Sequence, residues 1–181
     1  MGKLLGRCGE LLEFGGILNA SCMYVFDAMG NGRSFDAAVQ GAKAGGFLEP
    51  DPSMDLDGWD TAMKTVLQAN TYWEQTYTLA DVEVQGIRGL TQADMVDAKS
   101  KGEVWCMVGR AVQNLDGSLK LTAGPERVPA DHPLAREHWS DKVLWMRTRT
   151  QGEQVHHCIG ASASSTPGNM YLDLVTIARE L

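Results

Sequence analysis

No window of the chain approaches the run of about 20 apolar residues that a membrane-spanning helix needs, and Met1 to Phe14 carries charges where a secretory leader would be continuous and apolar. Basic charge is in short supply: 16 Lys and Arg stand against 23 Asp and Glu, a formal charge of −7, and no basic run occurs. Nucleic acid and anionic membrane surfaces are therefore not expected partners, because nothing supplies a set of phosphate contacts. The four cysteines, Cys8, Cys22, Cys106 and Cys158, include no Cys-x-x-Cys pair. That spacing argues against a zinc site or a redox motif and points to reduced thiols. His156 and His157 are adjacent, so on a strand they face opposite sides and do not share a metal. Neither Gly2-Lys3-Leu4-Leu5-Gly6 nor Gly6-Arg7-Cys8-Gly9 completes Gly-x-Gly-x-x-Gly. Internal repeats, low-complexity tracts and interdomain linkers are also missing. The expectation is a cytoplasmic protein with one globular domain, 44% of its residues hydrophobic and 22% charged.

What the chain does have is concentrated between residues 46 and 64, where five carboxylates and one lysine pass from a proline-stiffened loop into a helix. Pro50 and Pro52 hold the loop extended, so Glu49 and Asp51 are presented on a stiff backbone. Asp57 reads as an N-cap, Asp60 lies in the first helical turn near free N–H groups, and Lys64 stands four residues on, over the same face. Two readings remain open. An exposed i,i+4 ion pair is worth only about 0.2–0.5 kcal/mol and can be purely structural. Alternatively, a pocket that sets an ammonium among carboxylates makes Lys64 a proton donor to a substrate oxygen, while the acids hold a cationic group.

Periodicity gives the architecture. Ile17, Ala20, Ser21, Tyr24, Val25 and Met29 recur at helical spacing from Gly16 to Met29, and Ser34 caps a second helix that stops at Gly45-Gly46. A third helix runs from Asp57 to about Asn70, a strand from Asp81 to Ile87, and a fourth helix opens at Thr91 and ends at Gly102. The second half reads as sheet. Val104 to Gln113 and Leu119 to Thr122 flank the turn Asp116-Gly117, and Val143 to Arg149 and Val155 to Ile159 flank Gln151-Gly152. Thr166 and Pro167 start a last helix. This order predicts an α+β domain, a mainly antiparallel or mixed sheet with helices packed on one face. Tyr72, Trp73, Tyr77 and Trp105 are either core or interface aromatics.

Seven segments in order resemble the catalytic domain of the homoserine dehydrogenase family: residues 16–24 (GILNASCMY), 34–43 (SFDAAVQGAK), 46–52 (GFLEPDP), 55–64 (DLDGWDTAMK), 82–87 (VEVQGI), 128–135 (VPADHPLA) and 173–179 (DLVTIAR). The resemblance runs from about Gly16 to Arg179. It implies a single catalytic domain over residues 16–181 behind a short extension of residues 1–15. It also implies that Lys64 and Asp60 serve proton transfer, that Glu49 and Asp55 hold the amino acid together with contacts from Ser21 and Tyr24, and that the pocket takes homoserine, aspartate semialdehyde or a similar compound. An ammonium-bearing substrate suits three carboxylates.

Departures from the family pattern qualify the cofactor. The family places a Rossmann domain ahead of this region, and about fifteen residues leave no room for its strand-turn-helix unit. Gly160-Ala161-Ser162-Ala163-Ser164-Ser165 stands where relatives carry a glycine-rich loop beside the cofactor, and each added side chain obstructs a close backbone approach. Ala20-Ser21-Cys22-Met23 likewise replaces Gly-Thr-Thr-Asn; Ser21 keeps a hydroxyl. Ser164, Ser165 and Thr166 can receive an anion at a helix N-terminus, though simple capping by Thr166 is the favoured reading. No cofactor is expected unless a separate Rossmann partner supplies an NAD(P) site. Three functions follow in order: a cofactor-independent lyase, cyclase or isomerase acting on a small amino acid, the catalytic half of a split or truncated NAD(P)-dependent dehydrogenase, and a non-catalytic amino-acid-binding or dimerisation module. A homodimer or higher homo-oligomer is expected in each case.

Overall fold

The computed structural model describes residues 10–135, 138–159, 171 and 175. The helix expected from Pro167 and the hydroxyls of Ser164, Ser165 and Thr166 lie outside the described residues. Six strands form one mixed sheet: β1 (Leu11–Ile17), β2 (Val82–Val84), β3 (Glu103–Gln113), β4 (Leu119–Pro129), β5 (Lys142–Thr148) and β6 (Gly152–Cys158). Their order is β2-β4-β3-β1-β5-β6. All pairings are antiparallel except β2 with β4. Five helices accompany the sheet: α1 (Ala20–Gly30), α2 (Phe35–Ala44), α3 (Ser53–Leu56), α4 (Trp59–Trp73) and α5 (Gln92–Ser100). The expected α+β architecture is the observed one.

The first strand is the main correction to the element assignment. The helix predicted from Gly16 begins at Ala20, and Leu11 to Ile17 instead form a central strand paired with β3 on one side and β5 on the other. Leu11 to Gly15 thus fall before the boundary drawn at Gly16 and yet belong to the sheet. Phe14, Gly15, Gly16 and Ile17 are all buried, so the polar-apolar alternation that marks a half-exposed strand never arises. The Asp81–Ile87 strand is also shorter, Val82 to Val84, after a single 3-10 turn at Leu79–Asp81. Conversely β4 continues to Pro129, giving the β3–β4 hairpin eleven paired positions.

Helix α4 lies across β1, β3 and β4, and glycine makes that approach possible. A Cβ on Gly109 would run into the Thr65 hydroxyl and close on Leu18 and Thr61. Beneath α4, Phe14 stacks edge-on against Tyr72 and packs on Trp73, with Ala69, Ala111, Leu121 and Met146 around them. Tyr77 accepts the Leu119 backbone N–H, and Trp105 donates to the Asp94 carbonyl. The aromatics considered as interface candidates are therefore engaged within the domain. A second core cluster joins α1, α2 and α5 to β1, β3 and β5.

By strand alternation Glu13 lies opposite Phe14, on the other face of the sheet. There Arg110 bonds Glu13 and Glu126, and Arg147 bonds the second oxygen of Glu13. Leu134, fully buried, covers Gly15 beside this network.

Candidate functional site

The site forms where β1 hands over to α1. Leu18 and Asn19 link the two elements, and the Asn19 side chain caps α1 by accepting the Cys22 N–H at 2.8 Å. Because that oxygen is engaged, the amide nitrogen of Asn19 faces the other way, and it donates to Asp55 Oδ1 at 2.5 Å and to Asp60 Oδ2 at 2.8 Å. Lys64 Nζ donates to the same Asp60 oxygen at 2.6 Å and to the Leu18 carbonyl at 3.0 Å. Two of the three ammonium N–H bonds are thereby occupied, and the third has no partner among the described residues.

Local conformation explains why Asp55, Asp60 and Lys64 meet. Pro52 precedes the single turn α3, and Gly58 at φ 90° breaks α3 from α4. A side chain at Gly58 would also strike the Gln85 carbonyl, so the position combines a left-handed backbone with close approach to β2. Asp57, expected to cap α4, ends α3 instead; Gly58 is the N-cap residue, and the Asp57 carboxylate pairs with Arg88 at 2.5 Å. Asp60 keeps its place in the first turn of α4, with Lys64 one turn along.

An open cavity of about 480 Å³ is lined by Glu49, Asp51, Asp55 and Asp60 together with Phe47, Met54 and Met63. Burial pushes the Asp55 carboxyl above its usual range; the Asn19 hydrogen bond opposes that rise, and the charges of Asp60 and Glu49 add to it. Burial likewise pushes the Cys22 thiol far up, so it stays a thiol and donates to the Asp55 carbonyl oxygen at 3.2 Å. Asp51 is held low by the Ser53 hydroxyl and N–H.

The structure brings Glu49, Asp55, Asp60 and Lys64 together. Ser21 and Tyr24 sit one step back, on α1 against the loop that bears Glu49: Ser21 donates to the Phe47 carbonyl at 2.6 Å, and Tyr24 packs on Phe47 with ring centroids 5.2 Å apart. The residue missed in the sequence is Asn19. An Asn followed by helical periodicity was a usable capping signal, but its second partnership, with two carboxylates 36 and 41 positions away, has no local signature. A further cavity of about 400 Å³ lies toward the other end of α1, among Met23, Phe26, Met95, Trp105 and Trp139. Its walls are mainly apolar and include none of the four clustered residues.

Fold and site define an α+β domain in which a Lys64–Asp60 pair stands beside an acidic cavity. The sequence profile of homoserine dehydrogenase matches residues 3–175. The NAD(+)-dependent homoserine dehydrogenase of Pseudomonas canavaninivorans is 32% identical over 168 residues, 93% of this chain and 48% of that protein. The homoserine dehydrogenase of Methanocaldococcus jannaschii is 36% identical over 126 residues, 69% of this chain and 36% of that protein. Among solved structures, a homoserine dehydrogenase of S. aureus superposes with a TM-score of 0.87 at 26% identity, covering 95% of this chain and 44% of that one. The chain belongs to the homoserine dehydrogenase family. It spans less than half the length of these relatives.

Proposed function

We propose that this domain binds a small amino acid of the homoserine or aspartate semialdehyde type and performs acid–base chemistry at its side-chain oxygen. The observation that carries the reading is the continuous chain Asp55–Asn19–Asp60–Lys64, of which Asp55 and Asp60 line an acidic cavity. In it, Asp55 and Glu49 receive the substrate ammonium through charge-assisted hydrogen bonds. Lys64, kept in place by Asp60 and the Leu18 carbonyl, gives its remaining N–H to the substrate hydroxyl or carbonyl oxygen, polarising it and passing a proton as charge develops there. Asp60 holds the Lys64 ammonium in place through their 2.6 Å hydrogen bond.

Relatives named as NAD(+)-dependent or solved with NADPH imply a nicotinamide cofactor. The described residues do not fit a dinucleotide on their own. Their one parallel strand pair, β2 with β4, is connected through α5 and β3 rather than by a glycine-rich turn into a crossover helix. The reading favoured here is turnover without nucleotide: elimination, cyclisation or isomerisation. The second reading, a catalytic half that works with a separately supplied nucleotide-binding half, is favoured by Phe47, Met54, Trp59 and Met63, which are 40%, 49%, 41% and 37% exposed on or beside the mouth of the acidic cavity. An apolar rim of that kind suits contact with another protein surface.

The deciding experiment incubates the protein with homoserine and aspartate semialdehyde, with and without nicotinamide cofactors, beside Lys64→Ala. Turnover without nucleotide that falls about 10²-fold or more in the variant supports the first reading. Turnover only after adding both cofactor and a nucleotide-binding partner chain supports the second, and equal turnover by both proteins removes Lys64 from the chemistry.

A further inference from the structure

We propose that Asn19 is the positioning residue of this site, setting the spacing between the carboxylate that receives the substrate ammonium and the Lys64–Asp60 pair that acts on the substrate oxygen. The inference rests on the function proposed above. Asn19 is 2% exposed, and every hydrogen-bonding direction its amide offers toward the site is used. Its oxygen takes the Cys22 N–H, which settles which way the amide faces, and its two N–H bonds go one each to Asp55 and Asp60. A single nitrogen bonded to both holds the two carboxylates within about 5 Å of each other, a distance at which like charges in a half-buried site repel.

The neighbouring residue completes the clamp from the backbone. Leu18 offers its carbonyl to Lys64 at 3.0 Å, so the two consecutive residues at the end of β1 fix both ends of the cluster. Strand β1 is central in the sheet, hydrogen-bonded on both sides, and it supplies a rigid base from which to set the distance. The Cys22 thiol adds a third fastening by donating to the backbone of Asp55. Few side chains can replace Asn here. Ser caps the helix but has no second donor to span the pair, and Asp keeps the cap but sets a third carboxylate against two others.

The test uses Asn19→Ser and Asn19→Asp, both of which retain a capping oxygen for α1. Carboxyl-carbon NMR titration of Asp55 and Asp60 in the unliganded protein reads the clamp without reference to activity, and homoserine binding and turnover read its consequence. In Asn19→Ser the Asp55 titration moves, homoserine affinity falls at least tenfold and turnover falls with it; in Asn19→Asp the Asp55 titration moves to higher pH. Unchanged titrations in folded Asn19→Ser overturn the clamp, and moved titrations with unchanged homoserine affinity overturn its positioning role. A wild-type protein that turns over no homoserine-like compound contradicts the proposed function alone, since the titrations report the clamp by themselves.

Discussion

Lys64 and Asp60 look, in isolation, like an ordinary surface pair, their side chains 44% and 23% exposed. An i,i+4 pair of that exposure contributes under about 1 kcal/mol to stability. Lys64→Ala is therefore expected to leave thermal unfolding almost unmoved while reducing turnover by about two orders of magnitude. A parallel collapse of both, seen by calorimetry and assay together, would make the lysine structural. Asp55 gives the complementary case. Burial raises its pKa in the folded chain, so between its unfolded and folded values the native state binds more protons than the unfolded one, and stability falls as pH rises through that window. Above it the cost stays. Asp55→Asn removes the cost, so the variant is expected to melt higher than wild type at neutral pH, with the difference shrinking toward acid, while losing affinity for homoserine. Spacing alone made Asp60 and Lys64 legible, because a helical period needs only local sequence. The role of Asn19 was not legible: its partners come from α3 and α4, and only tertiary structure places them against the end of β1.

At the scale of elements, the site depends on how closely α4 lies on the sheet. Gly109 on β3 sits under Thr61 and Thr65, which directly follow Asp60 and Lys64 on the same helix. Gly109→Ala is expected to cost about 1–3 kcal/mol through overpacking and to lift the Lys64 turn from Leu18, visible as a lower melting temperature together with weaker homoserine binding. An unchanged melting temperature would mean that the helix has slack there. Capping chemistry made two of the five helices readable at their starts. Ser34 and Thr91 cap α2 and α5 as their sequences indicate, and Thr91 forms a reciprocal box with Asp94. The elements that escaped did so for physical reasons. Strand β1 is buried on both faces and contains two adjacent glycines, so neither alternation nor β-branched enrichment announces it, and α3 is a single turn set by Pro52 and the Gly58 backbone.

For the whole molecule, the two faces of the sheet do different work. One carries α4 and presents the Lys64 cluster at its edge; the other holds the network Glu13–Arg110–Glu126 with Arg147, spanning β1, β3, β4 and β5. Glu13 and Arg110 are 14% and 19% exposed at their side chains, so truncating the arginine leaves poorly solvated carboxylates facing one another. Arg110→Ala is expected to destabilise the domain by about 2–3 kcal/mol, less than a fully buried pair because Arg147 remains on Glu13. Chemical denaturation measures this, and a loss below about 0.5 kcal/mol would show that the network is solvated. The α+β class was readable from element order, and the family from seven short segments, whereas the ion network was not: its members are scattered from residue 13 to residue 147 and share only a sheet face.

The central claim, that Glu49, Asp55, Asp60 and Lys64 form one amino-acid pocket organised by Asn19, is tested most directly by titrating homoserine into isotope-labelled protein and mapping the perturbed resonances. The expected result is saturable shifts centred on Asn19, Glu49, Asp55, Asp60 and Lys64 that weaken at least tenfold in Asp55→Asn. Shifts centred elsewhere, or the same affinity in both proteins, would contradict it.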